Sequence, residues 1–567
     1  MGIVLNSGLV LKAMSIYGRI SRNDYYRKSK KLSENAEGLL MRILRRNRNT
    51  EIGKKLGFGS VHSVRDYQDK IPFSDYGDYA GYIDRMAKNG EQKLLTADKV
   101  SFLATTSGTT GVMKRIPVVS RSFRPLFRSS CIIYDIIYTE MKKRGIKSGK
   151  GLNSLESGFY RTESGIRQGY ISSFVMSSAD LVVPSISCIP AELSGYGEGV
   201  DMKYIKSRCA LADRDLVYLM SPFMSTLTDL MKYISDNREM LIRDIELGVI
   251  DTSVKLPPEL RARLEAKLKP DRERAEELKK SVDFSDINGL IKRIWPKMCV
   301  VVAIGSGELE PFSRKMRVYC GESVAFCHEF YASSEALFGT VTEADDENYL
   351  LIPDSGFFEF IPDDGSFDET RDRPLLPHEL EVGKRYEVVV TNLAGLYRYR
   401  IKDVVLVTGF TNDLPRLRFA YRRSQVINIT GLKLTSEHLV STMREISEKT
   451  GVNIIDYSVS ADTVKEPWRL VVFIEFDGKA PEGVDLSELF DEELSKVNEE
   501  HGHMLEIGES SPSMVCVMKS GFYKALREEN ASKKSSATQV KPVRHFDSEE
   551  MLRYFMERAD IVQERNA

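Results

Sequence analysis

Between residues 105 and 114 the chain reads Thr-Thr-Ser-Gly-Thr-Thr-Gly-Val-Met-Lys, entered from the strand-like run Val100–Ala104. Hydroxyl side chains and two glycines crowd this stretch, and it ends on Lys114. Glycine lets a backbone approach a ligand closely, and successive N–H groups can form an anion-binding nest. Lys114 adds a mobile point charge suited to a phosphate. The pattern is G-x-x-G-x-x-K, so it is not a Walker A loop, which needs G-x-x-x-x-G-K-[ST]. A polar loop alone could be an ordinary Ser/Thr-rich turn. The complete string points to phosphate.

Three later segments carry further chemistry. Glu329-Phe-Tyr331-Ala332-Ser333-Ser-Glu335 follows an apolar run and sets a carboxylate beside hydroxyls and an aromatic. Glu335 could hold Mg²⁺, a hard cation that takes few protein carboxylates and completes its shell with substrate phosphates. Tyr331 could cover a planar ring. The competing reading is a capped helix start with Glu335 in its first turn. Tyr397-Arg398-Tyr399-Arg400-Ile-Lys-Asp403 alternates like a strand with cationic edges, and Asp403 at the following turn could accept from a ribose diol. A charged hairpin competes equally. Finally, Phe419-Ala-Tyr-Arg422-Arg423-Ser-Gln425 leads to Gly431-Leu-Lys433 at an expected domain boundary.

Strands alternating with helical patterns must position these segments, which argues for an α/β architecture. Strand patterns fall at Leu216–Leu219, Met298–Ile304, Ser323–Phe326, Gly356–Ile361, Arg385–Thr391 and Val404–Thr408. Helical spacing runs through 33–57, 226–247 and 284–294. Residues 257–280 read as a solvated helical hairpin broken at Pro270. After about residue 420 come strands at Asp456–Ala461, Leu470–Phe476 and Met514–Met518 and a helix over 486–500, the pattern of a small α+β domain. Residues 528–541 are polar, and Asn530–Thr538 within them read as a mobile loop. The expected division is a large domain over 1–420, opening with an arm over 1–32, and a small mobile domain over 421–567.

Composition excludes other classes. The chain has 567 residues, 42% hydrophobic and 29% charged, with 81 Lys+Arg against 82 Asp+Glu. That length exceeds one compact core, and the balanced charge gives no general pull toward nucleic acid or anionic membrane. Seven scattered cysteines without a C-x-x-C pair exclude a disulfide framework and suggest a reducing compartment, the cytoplasm. Residues 1–60 hold 13 Lys/Arg and 4 Asp/Glu, but the apolar residues precede the charges, unlike a signal peptide. A helical arm packed on the body is the expectation. His501-Gly-His503 lacks a third ligand nearby and reads as a polar helix end.

The order of the four segments resembles the acyl-adenylate-forming superfamily, whose T-S-G-T-T-G-x-x-K loop is matched at Thr106–Lys114. Within it the chain is similar to the auxin-responsive Gretchen Hagen acyl-acid amido synthetases. The supporting strings are YASSE at 331–335, FFEFIP at 357–362, AGLYRYRIKDV at 394–404 and VTGFTN at 407–412. The likeness runs from about residue 35 to 546. It implies a large adenylate-forming domain of mixed sheets packed by helices, followed by the small α+β domain. It also implies a ligase that activates a carboxylic acid with ATP, releases pyrophosphate and passes the acyl group to an amine, usually an amino acid.

Roles implied by the resemblance attach to matching positions. Ser107, Gly108, Thr109 and Thr110 correspond to the phosphate loop, with Lys114 and the late Lys541 as catalytic lysines. Glu335 corresponds to the Mg²⁺ ligand. Tyr331, Ala332, Ser333, Asp403, Phe419, Arg422 and Lys433 correspond to nucleotide contacts, Asp403 on the ribose. ATP and Mg²⁺ are the implied cofactors, and a small acid and an amine the implied partners of a monomer that needs neither membrane nor nucleic acid. The chain departs from the plant pattern in a phosphate loop one residue shorter and in Ile-Asn-Ile-Thr before Gly431, and from the wider superfamily in Gln425 at the hinge, where Asp or Lys is usual. An acyl-CoA-type synthetase, a catalytically silent nucleotide-binding descendant and a nucleic-acid module are the alternatives. The acid and the amine are not specified by these residues.

Overall fold

The computed structural model describes residues 6–106, 114–154, 159–172, 183–193, 196, 200–423, 427–429, 432–463, 467–532, 542–546 and 548–564. These residues form two compact units. The first comprises Met1–Pro222, Asp229–Ile304 and Tyr319–Phe419; the second comprises Phe223–Thr228, Gly305–Val318 and Ala420–Ala567.

The first unit is built on three sheets. A seven-stranded sheet runs in the order Gly356–Pro362, Arg385–Asn392, Tyr399–Thr411, Leu414–Arg422, Tyr349–Leu351, Leu337–Thr340 and Phe330–Ala332. A four-stranded sheet orders Gly151–Asn153, Tyr218–Phe223, Val300–Ile304 and Ala325–Cys327, and both outer pairs are parallel. Another four-stranded sheet orders Lys114–Val119, Val100–Thr106, Arg167–Gly169 and Tyr160–Arg161. Valine-rich runs such as Val388–Val390 are buried throughout, as expected for strands covered on both faces.

Two glutamates lie inside these apolar strands, and they correct the expectation of cationic edges. Arg398 is 4% exposed and reaches Glu359, which is 1% exposed, at 3.1 Å. Its other guanidinium nitrogen donates to the Gln68 and Ile71 carbonyls, and its charge lies 4.1 Å from the centre of the Phe73 ring. Arg400 pairs with the buried Glu387 at 2.7 Å. Burial dominates at Glu359 and raises its carboxyl above the ordinary value, with Arg398 opposing the shift. Arg398 therefore ties the sheet to residues 68–73, while Arg400 runs from the buried Glu387 out to the exposed Glu369.

The N-terminal arm is a helix, Ser7–Ser29, packed on the helix Phe123–Lys143. Gly18 allows the two backbones to touch, since a Cβ there would collide with the Cys131 carbonyl. Arg128 from the second helix donates to Asp24 and to Asp354, each at 2.6 Å, and stacks on Tyr25. No helix among the described residues is long and apolar enough to cross a membrane. No disulfide joins the seven cysteines.

Other expectations shift for local reasons. The helix expected over 33–57 splits into Leu32–Asn47 and Glu51–Lys55, because Thr50 leaves the helix to accept from Gly53 N–H at 3.0 Å. The pattern over 226–247 breaks near Asn237 into Met224–Asp236 and Arg238–Leu247. Over 284–294 only Leu290–Ile294 is helical. There Asp283 and Asp286 accept from the N–H two residues on, at 2.9 and 3.0 Å, turns that compete with helix. The hairpin over 257–280 forms as Pro258–Glu265 and Arg272–Ser281, the second capped by Asp271.

The second unit carries a four-stranded sheet in the order Ile454–Asp462, Arg469–Phe476, Met514–Met518 and Ala559–Glu564. Helices Ser436–Thr450 and Leu486–Val497 bury Leu439, Ile446, Phe490 and Leu494 in its core. On the opposite side Phe473, Phe546 and Phe555 form an aromatic cluster. Arg527 and Arg544 converge on the buried Asp456. His501 is buried against Asp491 at 2.9 Å, which accounts for it as a packing residue.

Candidate active site

Tyr331 is the hub of the first unit's polar centre. It lies in the strand Phe330–Ala332, and its ring stacks on Phe338 at 4.7 Å between centroids. Tyr349 and Phe419 lie 6.0 Å from the same ring. Its hydroxyl donates to Asp403 Oδ2 at 3.1 Å. A buried tyrosine commonly finds such a partner, and here the partner is 1% exposed.

Asp403 does not sit at a turn; it is inside the long strand Tyr399–Thr411. An irregularity in the ladder aims it. Between the pairs Glu387↔Val404 and Val389↔Arg400, one strand advances two residues while the other advances four. Lys402, beside Asp403, takes a left-handed backbone with φ 65° to absorb the excess. Bulges of this kind re-aim side chains. The sequence shows no sign of it.

Glu335 lies in the tight turn between the strands Phe330–Ala332 and Leu337–Thr340, so the helix-start alternative is set aside. Ser333 N–H donates to the Ala336 carbonyl at 2.8 Å, and Ser333 Oγ accepts from Glu335 N–H at 3.2 Å. Asn392, which the sequence reading missed, donates to the Glu335 carbonyl at 2.7 Å. The same Asn392 accepts from Ala394 and Leu396 N–H at 2.9 and 3.0 Å. It thereby fixes the YASSE turn against the hairpin leading to Asp403. The Glu335 carboxylate itself carries no hydrogen bond or ion pair among the described residues. A half-buried, uncommitted oxygen donor fits Mg²⁺, which needs few protein ligands.

Lys114 opens the strand Lys114–Val119 and pairs with Thr106 across the hairpin. Its ammonium lies 5.4 Å from the centre of the Tyr76 ring, and Tyr76 Oη accepts from Arg115 N–H at 3.1 Å. Two residues earlier, Ser74 bonds both Arg398 and Arg400 through its backbone, at 3.0 and 2.9 Å. The segment 74–76 thus links the Lys114 hairpin to the strand bearing Asp403. Tyr76 was not legible as a site residue, being one tyrosine in an unremarked helix start.

The remaining positions are distributed. Ala332 is exposed, Phe419 half-buried, and Arg422 ends the strand Leu414–Arg422 that carries Phe419. Lys433 lies in the second unit, exposed on the strand Leu432–Leu434. There its N–H donates to Glu500 at 3.3 Å and its carbonyl accepts from Asn498 at 3.0 Å. Ser107, Gly108, Thr109, Thr110, Gln425 and Lys541 lie outside the described residues.

The chain matches the GH3 family N-terminal domain over residues 22–325, the GH3 family central domain over 349–422 and the GH3 family C-terminal domain over 437–550. This chain belongs to the GH3 family. Among its GH3 relatives is a jasmonoyl-L-amino acid synthetase (JAR4) of Nicotiana attenuata, 28% identical over 467 residues, 79% of this chain and 80% of the relative. Another is the indole-3-acetic acid-amido synthetase GH3.2 of Arabidopsis thaliana, 28% identical over 479 residues, 80% of this chain and 86% of the relative. The fold is that of the GH3.15 acyl acid amido synthetase, with a TM-score of 0.82 at 22% identity over 98% of this chain and 97% of the other. The fold class expected from the sequence is therefore the one observed. The central GH3 domain, 349–422, contains Asp403 and Phe419.

Proposed function

We propose that this GH3 protein is an ATP-dependent ligase that joins a carboxylic acid to an amine through an acyl-adenylate. The amine is an amino acid, as the names of its relatives say of them. The observation that carries the reading is the convergence of Tyr331, the Glu335 turn and Asp403 within one sheet of a GH3 chain.

In this reading Asp403 accepts from the ribose hydroxyls, and Tyr331 holds its carboxylate in place. The faces of Tyr331 and Phe419 border the adenine. Lys114 and the loop Ser107–Thr110 hold the phosphates, and Arg422 contributes charge beside them. Glu335 would hold Mg²⁺, which when bound neutralises charge on the phosphates during in-line attack. The carboxylate attacks the α-phosphate, and positioning of two anions in one orientation accounts for much of the rate. An amine is already nucleophilic once unprotonated, so the second half needs no cysteine or serine nucleophile. Residues 421–567 act as a small mobile domain whose Lys433 and Lys541 serve different steps, Lys541 the adenylation. Seven cysteines without a disulfide fit a reducing compartment such as the cytoplasm.

A pyrophosphate-release screen over carboxylic acids, each with and without amino acids or CoA, tests this. Acid-dependent release with an amide product supports it. A thioester without an amide would support the acyl-CoA-type alternative.

A further inference from the structure

Glu329 stands two residues before Tyr331, and its surroundings are unusual. It is a non-glycine residue in the left-handed region, φ 55°, at the end of the parallel strand Ala325–Cys327. Such strain persists where the surrounding structure fixes it, and it clusters at functional sites. Its own carbonyl is turned toward the neighbouring strand, where Val341 N–H lies at 3.5 Å. The half-buried carboxylate has no hydrogen bond and no ion pair among the described residues. Ligands of α/β sheets enter beyond the carboxyl ends of the strands, and that is where this carboxylate lies.

A half-buried carboxylate that has no cation beside it among the described residues invites one from the substrate. ATP and the acid are anions. The acceptor amine, arriving as an ammonium, is the cationic organic reactant. We propose that Glu329 receives this amine: its carboxylate pairs with the ammonium, takes one proton, and frees the nitrogen lone pair toward the acyl carbonyl. This rests on the amide-synthetase reading above.

The protons balance. The ammonium gives one proton to Glu329, the nitrogen attacks, and the N–C bond forms. The C–O bond to AMP then breaks, the electron pair leaving with the phosphate. The second nitrogen proton leaves to that phosphate or to water, and Glu329 returns its proton to water after product release.

Burial pushes the Glu329 carboxyl up to about 8, which brings it close to an aliphatic ammonium and favours proton transfer between them. Among the described residues, the titratable groups that feel its charge are Tyr134, from the helix Phe123–Lys143, and Cys327; burial holds each at about 12, so neither ionises in the working range. His328, beside it in the chain, is buried.

The test compares wild type with Glu329→Gln in each half-reaction: acid-dependent ATP–pyrophosphate exchange, and single-turnover transfer from preformed acyl-adenylate. The acceptors are an amino acid and hydroxylamine, an amine already unprotonated at neutral pH. Expected are exchange rates within about twofold and transfer to the amino acid slower by about 10²–10⁴-fold. Hydroxylamine should restore transfer. Wild-type transfer to the amino acid should level off near pH 8, whereas in Glu329→Gln it should keep climbing toward the pKa of the free ammonium. Equal losses with both acceptors, an unchanged transfer rate, or a lost exchange rate with altered Mg²⁺ dependence would each overturn the assignment. Absence of acid-dependent exchange in the wild type would instead overturn the amide-synthetase reading and the inference with it.

Discussion

The Tyr331 hydroxyl donates to Asp403 Oδ2 at 3.1 Å, joining an edge strand of the seven-stranded sheet to an interior strand 72 residues later. On the proposed reading this contact holds the ribose acceptor. Tyr331→Phe keeps the stacked ring and removes the donor. A hydrogen bond to a charged group contributes about 1.5–3 kcal/mol, so KM for ATP should rise about tenfold or more. Because ribose binding persists through the reaction, kcat for pyrophosphate exchange should change little. A fall in kcat with KM unchanged would place Tyr331 in the chemistry itself.

Glu335→Gln removes charge from a carboxylate that bonds nothing else among the described residues. Exchange should therefore fall by about 10²–10³-fold, the range for one lost transition-state contact. Thermal stability should stay near the wild-type value, because the turn is held by Ser333 Oγ and Asn392. Exchange measured across a Mg²⁺ titration checks this; an unchanged rate would remove Glu335 from the site.

Arg398→Ala leaves Glu359 buried without its 3.1 Å partner. Breaking a buried pair from one side costs about 3–5 kcal/mol. Denaturant unfolding should show that loss, and adding Glu359→Gln should recover part of it. Equal stability of wild type and Arg398→Ala would contradict the structural role given to this pair.

Much of the fold and some of the candidate site were legible in the sequence. The apolar runs at 356–361, 385–391 and 470–476 form strands buried on both faces, and their shortness and their β-branched and aromatic residues, not an alternating period, made them legible. The YASSE and Asp403 strings pointed to one another through a family resemblance, not through spacing. What stayed hidden depends on tertiary partners. Arg398 and Arg400 read as surface charges because Glu359 and Glu387 lie elsewhere in the sequence. The aim of Asp403 depends on a ladder irregularity at Lys402, which no residue type announces. Helix Ser436–Thr450 passed unread even though Thr435 caps it at His438 N–H.

The raised Glu329 carboxyl makes stability depend on pH in a defined direction. In the unfolded chain it titrates near 4.5, in the fold at about 8, so the protonated form is favoured by folding. The associated stability is fully present below about 4.5 and is lost as pH rises to about 8. Relative to Glu329→Gln, the wild type should therefore lose stability between pH 4.5 and 8 and run parallel above that. Paired thermal melts across this window check it; parallel curves throughout would show the carboxyl to be solvated.

The route of the acid oxygen tests the central claim most directly. The acid selected by the pyrophosphate-release screen, labelled with ¹⁸O in its carboxylate, is incubated with ATP, Mg²⁺ and the amino acid, and the products are weighed by mass spectrometry. Attack of the carboxylate on the α-phosphate predicts one ¹⁸O in AMP for each amide formed. Label in inorganic phosphate with ADP as the nucleotide product, or amide formed with unlabelled AMP, would contradict an acyl-adenylate route.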